Sequence, residues 1–283
     1  MTVGAAERIA AAEGRVPNLR PGCEKRILSC RPGGRAPLSV VYVHGFSASA
    51  EEIRPVPDRI AAALGAPVFF TRLAGHGQDG AALGRATLAD WRADIREAAE
   101  VAAELGDRTL WIGCSTGATL IAQAMAEGMP GAGVIFVSPN FGLAAPLADQ
   151  LLDLPATETW LPRLLPGERG FRPANERHAR YWTIRYPLQA ILPMAEAVRT
   201  VRAAPLDAVR APALVLWNPR DKVVSGRATR SEMARWGGDV DWNELRPAPG
   251  DDPMGHILAG DILSPGGTDA AVAAAVDWAA RRL

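Results

Sequence analysis

Two rhythms of apolar and polar positions alternate along the chain. Short apolar runs rich in β-branched residues recur at 38–43, 68–71, 109–112, 134–138, 213–217 and 240–245. Runs this short and continuous predict strands buried on both faces. Amphipathic stretches separate them. The clearest begins at Thr87, keeps Leu88, Trp91, Ile95, Ala98 and Leu105 close to one face, and closes at Gly106. Further helices are expected at 118–127, stopped by Gly128, at 226–236, and at 268–281, where Val272, Val276 and Ala279 share a face. Ser49 and Glu52 suggest a capping box for a helix running to Leu64, with Pro55 and Pro57 crowding its start. Residues 1–20 read as a mobile lead or a short helix around 5–12, and residues 24–30 as an early strand before a Pro-Gly-Gly turn at 32–34.

Strands alternating with helices of this length predict parallel βαβ units and an α/β fold. The rhythm lapses between Pro139 and Pro205, a stretch holding Trp160, Phe171, Tyr181, Trp182 and Tyr186. Structureless loops of that length are uncommon in compact domains, so this stretch reads as a mostly helical insertion over the sheet. The expected organisation is one domain over 1–283, with a core at about 20–139 and 206–283 and the insertion at about 140–205.

Composition narrows the partners. Lys plus Arg total 31 and Asp plus Glu total 31, so the formal net charge is zero. That balance makes no electrostatic case for nucleic acid or an anionic membrane. No apolar run approaches the ~18 residues of a membrane span, and the first 21 residues lack the apolar centre of a secretory signal. No stable membrane insertion and a cytoplasmic location are therefore expected. Cys23, Cys30 and Cys114 form neither a disulfide framework nor a metal-binding pair. With no Walker-type glycine loop and no clustered ligands, neither a cofactor nor a metal is expected.

The chemistry centres on Gly113-Cys114-Ser115-Thr116-Gly117. An apolar strand precedes it and a helical pattern follows, the arrangement of a nucleophile elbow. Such a turn lifts a serine hydroxyl clear of the sheet and aims the N–H groups of a helix N-terminus at the same point. A serine hydroxyl needs a base and a third group to orient that base. His256 follows the last expected strand, and Asp221 lies just past the end of the 213–217 strand. Ser115, Asp221 and His256 thus stand in the Ser…Asp…His order of one hydrolase fold, at the carboxyl ends of strands where open parallel sheets place their sites. Asp251 and Asp252 are rivals for the carboxylate, disfavoured by their closeness in sequence to His256. The oxyanion donors are expected to be the backbone N–H of Thr116 and of Phe46, with Ser47 as the fallback. His44 and His76 read as braces for their loops, and His178, in a charged run, as part of a solvated face. Substrate-binding residues are not assigned.

Five landmarks carry a resemblance: His44-Gly45-Phe46, the 72–77 segment ending Gly75-His76-Gly77, the elbow, Asp221-Lys222-Val223-Val224, and Gly255-His256. Together they resemble the α/β-hydrolase superfamily over about residues 38–278. The HGF and GHG pair is most similar to bacterial carboxylesterases and monoacylglycerol-lipase-like serine hydrolases. The resemblance implies an eight-stranded, mostly parallel sheet and a helical lid after the strand ending at Ser138. It also implies hydrolysis of a small-molecule ester through an acyl-enzyme, with Ser115 as nucleophile, His256 as base and then acid, and Asp221 as orienting group. The same triad could instead serve amide, lactone or C–C bond hydrolysis or acyl transfer, and a non-catalytic ligand-binding homologue is the remaining alternative.

Overall fold

The computed structural model describes residues 4–29, 35–146, 149–150 and 167–283. Cys30, the 32–34 turn and Trp160 lie outside them. Strands β1 (Arg26–Leu28), β2 (Ala36–Val43), β3 (Val68–Phe70), β4 (Gly106–Cys114), β5 (Gly133–Val137), β8 (Ala213–Trp217) and β9 (Val240–Glu244) form one sheet in the order β1-β3-β2-β4-β5-β8-β9. Only β1 runs antiparallel, against β3; the other pairings are parallel. This is an α/β-hydrolase fold with seven strands among the described residues, where the resemblance implied eight.

The continuous apolar runs have a physical reason. Side chains alternate between sheet faces along a strand, and both faces are covered. Val41, Val43, Phe69, Trp111, Phe136 and Val215 pack on one side with helices α4 (Leu88–Leu105), α5 (Thr116–Ala126) and α7 (Leu192–Ala203). Val40, Tyr42, Phe70, Ile112, Ile135 and Leu214 pack on the other with α2 (Val56–Ala63) and α9 (Thr268–Arg282).

Helix α4 starts where the pattern placed it. Thr87 Oγ1 accepts from Asp90 N–H, and the Asp90 carboxylate reaches back to Thr87 N–H, closing a capping box. The box expected at Ser49 does not form. Helix α2 begins only at Val56, because a proline disfavours helical backbone in the residue before it and is tolerated in the first turn alone. Glu52 is thereby released from a capping role, and its side chain turns inward. Helices α1 (Ala5–Glu13), α3 (Gly80–Arg85) and α8 (Gly226–Met233) complete the core, α3 being absent from the sequence reading.

The described residues of the insertion include strands as well as helices. A two-stranded hairpin, β6 (Glu168–Gly170) with β7 (Arg185–Pro187), encloses the short helix α6 (Glu176–Tyr181), and α7 follows. Strands of three residues carry too few positions to display an alternation. His178 is half-buried rather than fully solvated, on a helix with no buried residue. It stacks on Phe171 at 5.2 Å, meets Trp182 edge-on at 4.7 Å, and its Nδ1 accepts from Ala174 N–H. Burial holds its pKa below the usual histidine value.

Candidate active site

Ser115 stands between β4 and α5 with φ 50° and ψ −115°, a left-handed conformation that costs a non-glycine residue roughly 1–3 kcal/mol. The surroundings over-determine it. Ser115 N–H donates to Val137 O at 3.0 Å, and Ser115 O accepts from Asn140 N–H at 3.2 Å. The flanking glycines allow the elbow to close. A Cβ at Gly117 would lie 2.2 Å from Val43 O, and one at Gly113 would lie 2.7 Å from Ala118 N.

The structure brings Ser115, His256 and Asp221 together from three loops at the carboxyl edge of the sheet. Ser115 Oγ is 3.0 Å from His256 Nε2, and His256 Nδ1 is 2.8 Å from Asp221 Oδ2. The second Asp221 oxygen accepts from Val223 N–H at 2.7 Å and Val224 N–H at 3.0 Å, which fixes the carboxylate's orientation. Burial opposes a charged imidazole here, yet the Asp221 hydrogen bond and charge outweigh it and raise the His256 pKa above its ordinary value.

Asp251 and Asp252 bind backbone instead. Asp252 Oδ2 accepts from His256 N–H and Ile257 N–H, both at 2.9 Å, while Asp251 accepts from Ala248 and Gly266 N–H. Three supporting contacts had no local signal in the sequence. Ser138 Oγ donates to His256 O at 2.6 Å, Asn218 Nδ2 donates to Gly255 O at 2.9 Å, and Lys222 N–H donates to Met254 O at 3.0 Å. They lock the His256 loop to the Asp221 loop, 37 residues away at Asn218, and to the end of β5, 118 residues away at Ser138.

The Phe46 turn is held by two histidines. His44 Nδ1–H donates to Gly45 O at 2.9 Å and its Nε2 accepts from Leu73 N–H at 3.1 Å. His76 Nδ1–H donates to Ala74 O at 3.2 Å and its Nε2 accepts from Ser47 N–H at 3.0 Å. Each ring is therefore neutral. Burial pushes the His44 pKa down to about 4 and His76 well below its ordinary value. The Ser47 N–H, being engaged by His76, is withdrawn as the fallback oxyanion donor. Thr116 opens α5, where first-turn N–H groups have no partner within the helix.

From the insertion, Thr183 N–H donates to Ser47 O at 2.7 Å and the Tyr186 ring meets Phe46 edge-on at 5.2 Å. Gly80 leaves room for the backbone of Arg185 and Tyr186 to pass against α3. Among the described residues, no group of three or more His, Cys, Asp or Glu side chains could hold a metal ion, and no helix is long and apolar enough to cross a membrane. A groove of about 430 Å³ between α4 and α5, lined by Ile95, Leu120 and Met129, contains none of the residues above.

Comparison with known proteins places this arrangement. No curated protein sequence matches the chain. Among solved structures, a chain described with LipS and LipT, two metagenome-derived lipolytic enzymes, superposes with a TM-score of 0.74 at 21% identity, covering 93% of this chain and 99% of that one. The monoacylglycerol lipase of Paleococcus ferrophilus gives 0.66 at 14% identity, covering 92% and 98%. A soluble variant of monoglyceride lipase from Saccharomyces cerevisiae gives 0.64 at 10% identity, covering 92% and 91%. At such identities the likeness is one of fold. A family model described as the alpha/beta hydrolase family matches residues 40–275, most of the chain. On that match, over the fold just described, the chain belongs to the alpha/beta hydrolase family.

Proposed function

We propose that the chain is a serine hydrolase that cleaves carboxylic esters of small molecules through an acyl-enzyme. The observation that carries this reading is the hydrogen-bonded series from Ser115 Oγ through His256 to Asp221, at 3.0 and 2.8 Å. Ser115 Oγ attacks the ester carbonyl as its proton passes to His256 Nε2. Asp221 holds the imidazole in the tautomer with Nδ1–H and stabilises the imidazolium. The Phe46 and Thr116 N–H groups receive the oxyanion, each such donor being worth roughly 3 kcal/mol in other enzymes. His256 returns the proton to the departing alcohol, and water then releases the acid by the same steps. The descriptions of the structural neighbours as lipolytic enzymes and monoacylglycerol lipases support the ester class. In this reading the insertion at about 140–205 forms a lid over a single catalytic domain, and Tyr186 and Phe46 wall the approach to the serine.

A fluorophosphonate probe and a series of p-nitrophenyl esters of graded chain length test the proposal. The probe should label the wild type, and Ser115→Ala should abolish labelling and lower ester turnover by about four orders of magnitude or more. Labelling that persists in the alanine variant would overturn the assignment of the nucleophile. Matched amide, lactone and diketone substrates define the bond preference.

A further inference from the structure

One buried acid at this site has no part in the mechanism above. Glu52 is 2% exposed and lies beneath the oxyanion turn. Its Oε2 accepts from Gly45 N–H at 2.7 Å and from Tyr42 Oη at 2.9 Å. A Cβ at Gly45 would stand 2.7 Å from Glu52 Oε1 and 3.1 Å from Ser115 Cβ. The carboxyl group and the serine therefore close on the same α-carbon, one residue before the Phe46 donor.

The choice of an acid here asks for a reason. Burying a carboxylate is costly, and a neutral acceptor such as glutamine would satisfy Gly45 N–H without that cost. Among the described residues, no Lys or Arg forms an ion pair with Glu52. The nearby guanidinium groups of Arg26 and Arg54 pair with Glu51 and, for Arg54, with Asp58. The groups facing Glu52 are Tyr42 from β2, Cys114 from the end of β4 and the imidazole of His256, while Glu51 from its own segment faces Tyr42. His256 in turn faces Asp221 and Asp252. Among the groups facing Glu52, the one that can become positive is His256, when it takes a proton.

We propose that Glu52 is a positioning carboxylate of this site: it pins the Gly45 peptide that leads into the oxyanion turn, and it sets a second negative charge facing the His256 imidazolium. This rests on the triad reading above. Glu52 and His256 act on each other, although burial outweighs its partners and leaves the Glu52 pKa raised. Burial raises the Glu52 pKa while Gly45, Tyr42 and His256 oppose the rise, and Glu52 adds to the effect of Asp221 in raising His256. The same carboxylate steadies the peptide before the donor and shares the charge of the base.

The isosteric variant Glu52→Gln keeps an acceptor for Gly45 N–H and removes the charge. NMR titration of His256 in a Ser115→Ala background reads the charge without needing turnover. Adding Glu52→Gln should lower the His256 midpoint by about half a pH unit or more. In the active enzyme the acid limb of kcat/KM should move to lower pH by the same amount, with kcat at its plateau reduced roughly tenfold. An unchanged midpoint and limb would overturn the proposal, since a purely structural clamp leaves both where they are. Should Ser115→Ala still be labelled by fluorophosphonate, the triad reading fails on its own. Loss of labelling together with an unmoved His256 titration would sink the Glu52 role alone. Circular dichroism of each variant checks that the fold is intact.

Discussion

His44, His76 and His256 are all buried, and their neighbours drive them in opposite directions. His256 faces a carboxylate and is raised; His44 and His76 accept backbone N–H groups at Nε2 and are lowered. In the proposed mechanism His256 must be neutral to take a proton, so kcat/KM should fall as pH drops through a value above 6.5. Stability should behave differently. A histidine with a depressed folded pKa binds fewer protons folded than unfolded, so stability falls as pH drops below the unfolded value of 6.5 and goes on falling to about 4. For His44 alone this amounts to something on the order of 3 kcal/mol. His256 contributes with the opposite sign, a stabilisation complete below 6.5 and lost as pH rises through its raised value. Activity should therefore fade reversibly at a higher pH than the circular dichroism signal, and coincident loss of both would contradict this assignment. Asp221→Asn should cost about 10⁴-fold in kcat with little change in fold, because the amide favours the wrong imidazole tautomer. That Ser115, Asp221 and His256 would meet was legible in the sequence because each follows a strand the hydrophobic pattern reveals. Glu52, Ser138 and Asn218 were not, since their roles depend on partners that no local pattern connects to them.

At the scale of elements, the elbow is the least tolerant junction. Gly117→Ala would drive a methyl group into the Val43 carbonyl, and neither strand β2 nor helix α5 can retreat from a packed core. We expect a loss above ~2 kcal/mol in urea denaturation and a collapse of activity. Thr87→Ala, which breaks the α4 capping box, should cost only about 1 kcal/mol and leave the rate untouched. The contrast separates an element boundary that serves stability from one that serves chemistry. Boundaries were readable where one residue type has one physical use, as with Thr87 and Gly106. They were misread where two signals competed, as at Ser49 and Glu52, where downstream prolines prevailed over a capping motif. The hairpin of β6 and β7 was unreadable because its three-residue strands pair with each other and are only partly buried or exposed.

Across the whole molecule, the amino-terminal helix is joined to the core by a buried ion pair. Arg72 Nε and Nη2 donate to the two oxygens of Glu13 at 2.7 and 2.8 Å, and both side chains are under a tenth exposed. Glu13→Ala strands a buried guanidinium and should destabilise the protein by about 3–5 kcal/mol, whereas joining it with Arg72→Met should recover much of that loss. A shift in thermal midpoint equal in the single and double variants would contradict this account. The pair also begins a short mechanical linkage. Arg72 heads the loop that carries His76, His76 grips Ser47, and Ser47 adjoins the Phe46 donor. At the other end of the chain, Leu283 docks against Arg108 and Gly133, where β4 and β5 begin, at the opposite end of the strands from Ser115. A protein pulled from its amino-terminal helix would transmit the load through Glu13 and Arg72 to the turn that carries the proposed Phe46 donor.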